Sequence, residues 1–282
     1  MANTFVPHTI TLKGKPVEIN SPWVMGILNV TPDSFYGNSR CNEEAIIVER
    51  IHQIIDEGGK IIDIGGYSSR PGADEVSPEE EYRRLSAGLT IIKREAPDAI
   101  VSVDTFRADV ARRCVEEWGV DIINDISGGN LDCNMAATVA SLNVPYILMH
   151  MRGTPKTMCS LTQYQDVTTD VINELSAKVQ NLQQRGVKDI IIDPGFGFSK
   201  TLEQNYEMMS NLEAFHSLQL PLLVGISRKS MIYRLLDSTP ETALNGTTAL
   251  NTIALLKGAH ILRVHDVKEA VEAVKIVQQT RI

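Results

Sequence analysis

The sequence lacks the features of several specialised protein classes. No apolar run approaches the roughly 18 residues of a membrane span, so we expect no membrane segment. The N-terminal segment has neither a basic start nor an apolar core, which argues against a secretory signal. The 4 cysteines show no CxxC spacing, which indicates neither a disulfide framework nor a zinc site and favours reduced thiols in the cytoplasm.

A clustered positive charge is missing as well. The formal net charge is −8 at pH 7, whereas a nucleic-acid-binding surface needs a basic face, so we expect no nucleic-acid partner. Any anionic ligand must then be bound by a few local cations. Hydrophobic residues make up 43% of the chain, which is enough for a sizeable buried core.

Short β-branched runs alternate with amphipathic stretches of helical spacing along the whole chain. Eight such units over about 250 residues have the size and rhythm of an α/β (β/α)8 TIM barrel. A doubly wound open sheet is the alternative, but it seldom contains eight even units, and no GxGxxG motif follows the first predicted strand. The predicted strands are Val24–Leu28, Lys60–Ile64, Ala99–Val103, Asp121–Ile126, Pro145–Met149, Asp189–Ile192, Pro221–Ile226 and His260–Val264.

The chain before Pro22 predicts an antiparallel β-hairpin, with strands His8–Leu12 and Val17–Ile19 around a turn at Gly14. Such a hairpin would cap the bottom of the barrel. No linker or low-complexity segment interrupts the chain. The sequence therefore predicts a single barrel domain over residues 1–282, with residues 1–22 as an N-terminal extension.

A polar residue stands at the C-terminal end of each predicted strand, the end where such barrels carry their chemistry. One such residue is usually explained as a helix cap or a turn former, but capping hardly explains the same pattern on every strand. The pattern predicts a ring of polar groups around the barrel mouth. These residues are Asn29, Asp63, Asp104, Asn124, His150, Asp193, Ser227 with Lys229, and Arg263 with His265.

The predicted ring is asymmetric, because the middle strands supply carboxylates and an amide whereas the last two supply cations. Arg263 and His265 are two residues apart and therefore share one face of their strand. The arrangement predicts a ligand with a neutral heterocycle at one end and an anion at the other. The alternatives are a salt bridge at the barrel rim for Arg263 and a structural role for His265.

The segment "GISRKSM" places Ser227, Lys229 and Ser230 where the seventh predicted strand gives way to a helix. Backbone N–H groups at such a junction would bind a carboxylate, which makes Ser227 a candidate substrate-binding residue. A Schiff base on Lys229 is the alternative, but it is disfavoured because such lysines usually lie on a strand inside the barrel.

Three segments near the predicted mouth are rich in glycine, proline and small polar residues taken together. The connections over residues 29–41 and 65–76 are long for βα loops and are typical of lids. The segment "DPGFGFSK" adds Phe196 and Phe198, which either cover the barrel top or line a slot for an aromatic substrate.

Seven motifs occur in order from about Val24 to Val267: "MGILNVTPDSF", "DIGGYSSRPGA", "VSVDT", "INDISGG", "DPGFGF", "GISRKSM" and "RVHDV". Together they resemble the motif set of the dihydropteroate synthase family. That resemblance implies a (β/α)8 barrel and a transferase of folate biosynthesis, a family that sulfonamides inhibit. The implied reaction condenses 6-hydroxymethyl-7,8-dihydropterin pyrophosphate with 4-aminobenzoate, releases pyrophosphate and uses Mg²⁺ as cofactor. A homodimer is also implied.

The resemblance also implies roles for individual residues. The residues that would bind the pterin are Asp104, Asn124, Asp193 and Lys229, with Met149 nearby. The residues that would bind the pyrophosphate are Asn29, Arg263 and His265, with Asn29 also a Mg²⁺ ligand. The residues that would belong to the lid loops are Phe35, Ser69, Arg70 and Pro71, and the residues that would border the 4-aminobenzoate slot are Pro71, Phe198 and Ser230. Together, the predicted catalytic residues are Asn29, Asp104, Asp193, Lys229, Arg263 and His265.

The family mechanism is dissociative, so pyrophosphate leaves first and the pterin methylene becomes a delocalised cation. A neutral amine then attacks, and this agrees with the absence of an evident Ser–His or Cys–His arrangement in the sequence. The chain departs from the family pattern at Tyr67, where an acid is common, at residues 36–39, and at Ser199, where glycine is usual.

Two other functions remain open from the sequence. A pterin-binding methyltransferase acting on methyltetrahydrofolate would share Asp104, Asn124 and Asp193, but it needs no pyrophosphate site. The cations of the "SRK" and "RVHD" stretches argue against it. The second alternative is a non-catalytic pterin-binding barrel.

Overall fold

The structure is a computed structural model that describes residues 5–31, 40–67 and 76–280, without the side chains of residues 40–43. The strands in these ranges are β1 (His8–Leu12), β2 (Lys15–Ile19), β3 (Trp23–Asn29), β4 (Ile61–Gly65), β5 (Ile100–Asp104), β6 (Ile122–Asp125), β7 (Tyr146–Met149), β8 (Ile190–Asp193), β9 (Leu223–Val224) and β10 (Ile261–Val264). The α-helices are α1 (Arg40–Asp56), α2 (Pro78–Glu95), α3 (Ala108–Trp118), α4 (Met135–Leu142), α5 (Val167–Gln184), α6 (Leu202–Ser210), α7 (Ser230–Tyr233), α8 (Leu244–Leu256) and α9 (Val267–Thr280).

Strands β3 to β10 form one eight-stranded parallel sheet, in the order β8-β7-β6-β5-β4-β3-β10-β9. An isolated parallel bridge between Ile192 and Leu222 joins the two edges of the sheet. The Ile192 N–H donates to the Pro221 carbonyl at 2.9 Å across the same junction. The sheet therefore closes into a barrel, with helices between successive strands, and the predicted (β/α)8 fold is confirmed.

Each observed barrel strand begins and ends within two residues of its prediction. The largest difference is at β9, which is predicted as Pro221–Ile226 and observed as Leu223–Val224. Its partner β10 pairs with only these two residues. The Lys229 N–H donates to the Ile226 carbonyl at 3.1 Å, which shows that the chain already turns after Ile226. β9 is therefore the shortest strand of the barrel.

The two faces of the barrel strands differ in what they contact, as period-two alternation requires. One face packs against the helices. The opposite face points into the barrel, where apolar side chains from seven strands and the hairpin form a separate cluster. The barrel-strand members are Trp23, Met25, Ile61, Ile122, Ile147, Ile191, Leu223 and Ile261. Two residues further along their strands, the same inner face carries Asp63, Asn124, Met149, Asp193 and Arg263.

The hairpin β1–β2 lies under this inner cluster. Its antiparallel register runs from the pair His8–Ile19 to the pair Leu12–Lys15. Ile10, Leu12 and Ile19 are buried against the inner barrel residues. The hairpin thus closes the end of the barrel opposite the polar residues, as predicted, although its second strand begins at Lys15 rather than Val17.

Side-chain caps fix where two helices begin near the barrel mouth. The Ser77 hydroxyl accepts the Glu80 N–H at 3.2 Å, with Pro78 as the first residue of α2. Thr201 and Gln204 form a reciprocal capping box at the start of α6. Within the described ranges, no helix is long and apolar enough to cross a membrane.

We predict that Ile19→Ala destabilises the protein by about 2–5 kcal/mol, because a buried side chain in the barrel plug would leave a cavity. Urea unfolding followed by circular dichroism measures the change. The matched control is Ile276→Ala on α9, whose side chain is 63% exposed and whose loss should cost less than about 0.5 kcal/mol. Equal effects would contradict a packed hairpin.

Candidate active site

A guanidinium between two carboxylates forms the centre of the barrel mouth. Arg263 Nε donates to Asp63 Oδ2 at 2.6 Å, and Arg263 Nη2 donates to Asp104 Oδ2 at 2.7 Å. The three residues come from β10, β4 and β5. The Asp63 side chain is fully buried, whereas Asp104 and Arg263 each keep 21% of their side-chain surface exposed. The exposed edges of Asp104 and Arg263 therefore face the mouth.

Asn124 and Asp193 extend this polar layer around the barrel. Asn124 Nδ2 donates to Asp63 Oδ2 at 3.2 Å, which leaves its amide oxygen available as an acceptor. Asp193 Oδ1 accepts the Gly195 N–H at 2.7 Å. A Cβ placed on Gly225 would lie 3.9 Å from both Asp193 Oδ2 and Arg263 Cδ, so the space over Gly225 is shared by an acid and a cation.

Asn29 stands at the rim above the same cluster. It is the last residue of β3 and is exposed. A Cβ placed on Gly65 would lie 3.7 Å from Asn29 Oδ1 and 3.6 Å from Asp104 Cβ, which locates the amide oxygen close to Asp104. The absence of a side chain at Gly65 keeps this space open.

Lys229 crosses from the β9 side to the turn after β8. Its ammonium donates to the Phe196 carbonyl at 2.7 Å and lies 4.6 Å from the centre of the Phe198 ring. Phe196 is fully buried in the main core, whereas Phe198 packs against a methionine-rich cluster that includes Met149. Of the two predicted roles, Phe196 covers the barrel and Phe198 lines the mouth.

Ser227 and His265 are hydrogen-bonded to each other. The Ser227 hydroxyl accepts the His265 backbone N–H at 3.1 Å and lies 3.1 Å from His265 Nδ1. A hydroxyl can accept from the backbone N–H and also donate to Nδ1, and it does both in the tautomer that carries the ring proton on Nε2. No pattern in the sequence indicates this contact between a serine and a histidine. Burial, and next the charge of Arg263, lower the pKa of His265 to about 4, so it is a poor base for activating this serine.

Burial changes the charge states of the other central groups. It raises the pKa of Asp104 to about 7, against the attraction of Arg263. It also raises the pKa of Asp193, against the attraction of Lys229. Burial opposes the charge of Arg263, but the carboxylates of Asp63 and Asp104 outweigh it and raise the pKa of the guanidinium. Arg263 therefore stays charged, whereas burial favours the protonated forms of Asp104 and Asp193.

Burial also lowers the pKa of Lys229 to about 8, although the nearby Asp193 carboxylate favours the charged form. The ammonium already donates to a backbone carbonyl. Lys229 is thus a hydrogen-bond donor at the mouth, beyond the end of its strand, as the argument against a Schiff base expected.

The structure brings the predicted central residues together but does not separate acids from cations. Asp104, Asn124, Asp193 and Met149 lie on the inner face of their strands, and Ser230 begins the short helix α7. Arg263, assigned by the sequence to the anionic end, instead bridges both ends through Asp63 and Asp104. Phe35, Ser69, Arg70 and Pro71 lie outside the described residues, as do residues 36–39.

The structure shows the surroundings of two residues that depart from the family pattern, Ser199 and Tyr67. Ser199 has φ 48°, a left-handed conformation that glycine adopts without strain, and its hydroxyl accepts the Arg152 N–H at 3.0 Å. Tyr67 lies edge-on against Phe106, with ring centroids 5.2 Å apart, and Arg107 stands 5.6 Å from its ring centre. An aromatic cluster therefore takes the position where the family commonly has an acid.

Sequence reasoning gave no role to Asp63 and missed Arg50. Asp63 appeared in the predicted ring, and its place in an Ile-Ile-Asp-Ile strand was the available signal. Arg50 lies on α1 and donates to the carbonyls of Ile27 at 3.1 Å and His265 at 2.6 Å. It ties the last strand end to the first, and no sequence motif marks it.

Comparison with known proteins agrees with this geometry. The family model described as "Pterin binding enzyme" matches residues 25–265. The dihydropteroate synthase of Escherichia coli K12 is 43% identical over 270 residues, which cover 95% of each chain. The chain belongs to the dihydropteroate synthase family.

Solved structures of the dihydropteroate synthase family share the fold. The Yersinia pestis enzyme in a sulfonamide drug complex superposes with a TM-score of 0.88 at 38% identity, covering 97% of this chain and 99% of that one. The Thermus thermophilus enzyme in complex with 4-aminobenzoate gives 0.85 at 33% identity, covering 96% and 99%. The predicted family and transferase class are confirmed, and the methyltransferase and non-catalytic alternatives are not favoured.

We predict that His265 titrates near pH 4 in the folded protein, because burial and Arg263 disfavour its charged form. NMR titration of the imidazole protons measures this. The unfolded chain binds the proton near pH 6.5, so the stability linked to His265 is complete above that pH and is lost as pH falls towards 4. The advantage of wild type over His265→Gln in unfolding free energy should shrink across this window. A constant advantage would contradict the shift.

Proposed function

We propose that the protein condenses 6-hydroxymethyl-7,8-dihydropterin pyrophosphate with 4-aminobenzoate to give 7,8-dihydropteroate and pyrophosphate. Membership of the dihydropteroate synthase family supports the reaction. The single observation that carries the assignment to this site is the interleaving of Asp63, Asp104 and Asp193 with Arg263 on the inner face of the barrel mouth. That layer offers acceptors for N–H groups and a cation for an anion within one cavity.

The pterin half fits the acceptors of the mouth. Its ring carries N–H donors and a carbonyl, which match the carboxylate of Asp193, the amide oxygen of Asn124 and the ammonium of Lys229. Asn124 is held by its bond to Asp63, and Asp193 by its bond from Gly195. Both side chains are more than nine-tenths buried, so their orientation is set before the ligand binds.

The diphosphate half fits the side of the mouth between β3 and β10. A cavity of about 450 Å³ there is lined by Asn29, Arg50 and His265, together with the Arg228–Asp266 ion pair, and Arg263 lies outside this lining. Among the described residues, Arg263 Nη1 has no hydrogen-bond partner, whereas Nε and Nη2 are bonded to carboxylates. We assign Arg263 Nη1 and the Nε2–H of His265 as donors to the leaving group, since charge-assisted bonds to phosphate oxygens are strong.

The chemistry of Asn29 fits a Mg²⁺ ligand. Its amide oxygen is exposed at the rim, and no partner occupies it among the described residues. The described ranges contain no cluster of three acidic, histidine or cysteine side chains able to hold a metal ion. Mg²⁺ commonly binds through few protein ligands together with substrate phosphates and water, which suits a single amide oxygen beside a diphosphate. When bound, the ion would neutralise charge on the leaving diphosphate.

The 4-aminobenzoate half would lie over Phe198 and Ser230, at the outer end of the Lys229 side chain. The Phe198 ring is partly exposed, and Lys229 lies over its face. The helix α7 after Ser230 is only 4 residues long, so the carboxylate would rely on local N–H groups and Lys229 more than on a helix dipole. The roles of Phe35, Ser69, Arg70 and Pro71 remain predictions.

These contacts favour departure of the diphosphate before attack. Donors on Arg263 and His265 stabilise the charge that develops on the leaving oxygens. The acids Asp104 and Asp193 lie on the pterin side, where their negative field stabilises a cationic methylene. The aromatic amine is neutral and nucleophilic, so the Ser227–His265 pair need not supply a nucleophile, and its low basicity agrees with a positioning role.

We expect purified protein to release pyrophosphate only when the pterin pyrophosphate, Mg²⁺ and 4-aminobenzoate are all present. A coupled pyrophosphate assay measures the release, and mass spectrometry identifies 7,8-dihydropteroate. Asp193→Ala is the inactive control, because it removes the buried acceptor of the pterin. Release no greater than that control would refute the proposed function.

We predict that Arg263→Ala lowers kcat/KM for the pterin pyrophosphate by about 10²-fold or more, because it removes a leaving-group donor and leaves two carboxylates unpaired. Steady-state kinetics with varied pterin pyrophosphate measures the loss. The matched control is Arg94→Ala on α2, an arginine with a 52% exposed side chain. A loss below tenfold in Arg263→Ala would remove Arg263 from the proposed mechanism.

We also propose that two copies associate and that the protein works in the cytoplasm. Four large apolar side chains on or beside α7 and α8 are exposed by 39–53%: Leu235, Leu236, Ile253 and Leu256. Exposed large apolar side chains concentrated on neighbouring elements favour contact with another protein surface. The described cysteines are free, and Cys133 and Cys159 are exposed, which suits a reducing compartment.

Sedimentation analysis should give a dimer for wild type and a monomer for Leu235→Glu combined with Leu256→Glu, since buried charges disrupt an apolar interface. Ile276→Glu, on α9 and also exposed, is the matched control and should remain dimeric. A monomeric wild type would exclude the association.

A further inference from the structure

A buried lysine lies behind the acceptor side of the mouth. Lys200 ends the turn that follows β8, and only 9% of its surface is exposed. Its ammonium lies 3.1 Å from the Gly195 carbonyl, 3.0 Å from the Phe198 carbonyl and 3.0 Å from His150 Nδ1. An ammonium has three N–H donors, so these three acceptors satisfy it completely.

The two carbonyls belong to the turn that carries Asp193. The Gly195 N–H donates to Asp193 Oδ1 at 2.7 Å, so the peptide units flanking Gly195 are held on one side by Lys200 and on the other by the acid. Gly195 has φ 72°, and a Cβ there would come within 2.0 Å of the His150 carbonyl. The turn therefore lies directly on the end of β7.

A second lysine holds the same turn from the ligand side. Lys229 donates to the Phe196 carbonyl, between the two carbonyls bound by Lys200. Lys229 lies at the mouth, whereas Lys200 is turned away from it, towards His150. Lys200 thus has the geometry of a support for the turn, and it reaches the mouth only through backbone carbonyls of that turn, including the carbonyl of Phe198.

The third acceptor links Lys200 to a chain of side chains that ends at the surface. His150 Nδ1 accepts from the ammonium, so His150 Nε2 carries the ring proton and donates to Glu174 Oε2 at 2.9 Å. Glu174 Oε1 accepts from Arg152 Nε at 3.0 Å. Glu174 lies on α5, so the chain ties the turn to a rigid helix.

The charge of Lys200 acts on Asp193. Burial raises the pKa of Asp193; the charge of Lys229 opposes that rise most, followed by the Gly195 N–H and Arg263, and Lys200 contributes least. Burial lowers the pKa of Lys200 to about 7, while the Asp193 carboxylate favours its charged form. A buried cation behind the acid favours the ionised acceptor that a pterin N–H group requires.

We propose that Lys200 is a positioning residue for the pterin, which holds the turn over Asp193–Phe198 in place and thereby keeps the Asp193 carboxylate aimed at the ligand. This inference rests on the proposed function. Lys200 acts through Asp193 and the turn, and it contacts neither the substrate nor the leaving group. Loss of Lys200 should therefore weaken binding of the pterin more than binding of 4-aminobenzoate, which lies over Phe198 at the far end of the same turn.

The test is Lys200→Met, which keeps the side-chain length and removes the charge and all donors. We expect affinity for 6-hydroxymethyl-7,8-dihydropterin, which lacks the diphosphate, to fall by about 10- to 100-fold in titration calorimetry. The KM for 4-aminobenzoate should change less than about threefold. The matched control is Lys257→Met, which removes a lysine bound to the Ser210 carbonyl at 3.0 Å, far from the turn, and should leave both values unchanged.

A double-mutant cycle separates positioning from general loss of packing. If Lys200 acts through Asp193, then Lys200→Met should cost less than about threefold in pterin affinity when Asp193→Asn is already present. Costs that multiply independently, or equal losses of pterin affinity and 4-aminobenzoate KM, would overturn the proposal.

The pyrophosphate assay and the single variant Asp193→Asn together distinguish the two levels of inference. Absence of pyrophosphate release by wild type would refute the proposed function itself, whereas full pterin affinity in Asp193→Asn would refute only the pterin contact with Asp193. A large loss there, together with unchanged affinity in Lys200→Met, would refute only the role of Lys200. If thermal unfolding shows that Lys200→Met does not fold, Lys200→Gln, which keeps N–H donors and removes the charge, goes through the same cycle with the same criteria.

Discussion

The contact of Arg263 with Asp63 and Asp104 is the interaction on which the rest of the mouth depends. Two carboxylates and one guanidinium leave an excess of negative charge in a partly buried layer, and buried charges are stable only when paired and hydrogen-bonded. The Asn124 amide donates a further hydrogen bond to the Asp63 carboxylate, so the amide and the ion pairs hold one another in place. The layer is therefore prepared for a ligand that brings N–H donors, and Arg263 stays charged and directed at an anion.

The fold was readable because each barrel strand is a short β-branched run followed by a helical stretch, and because both faces of such strands are buried. The strand boundaries were harder to predict, because the neighbouring strand decides where backbone pairing stops. β9 illustrates this. Its apolar run continues to Ile226, but the neighbouring strand offers partners only for Leu223 and Val224, and the chain turns at Lys229. The residues of β9 alone therefore do not predict where its pairing ends.

The sequence predicted which residues gather at the mouth but not how they pair. Position at a strand end follows from the fold, so Asp104, Asn124, Asp193 and Arg263 were found together with their strands. Pairing depends on the stagger of the strands, which placed Arg263 between acids rather than at a separate anionic end. Arg50 and Lys200 were missed for another reason. Lysine and arginine are usually solvent-exposed, and neither residue stands in a pattern that marks it as buried.

The junction between β8 and β9 is closed by an isolated bridge at Ile192 and Leu222, which makes it the weakest seam of the barrel. Asp193 leaves the barrel on one side of this seam, and Ser227 and Lys229 leave on the other. A small molecule bound by residues on both sides of the β8–β9 junction would cross-link the two strand ends. Ligand binding and closure of the barrel are then thermodynamically linked, and amide hydrogens beside the seam become reporters of occupancy at a distance from the ligand.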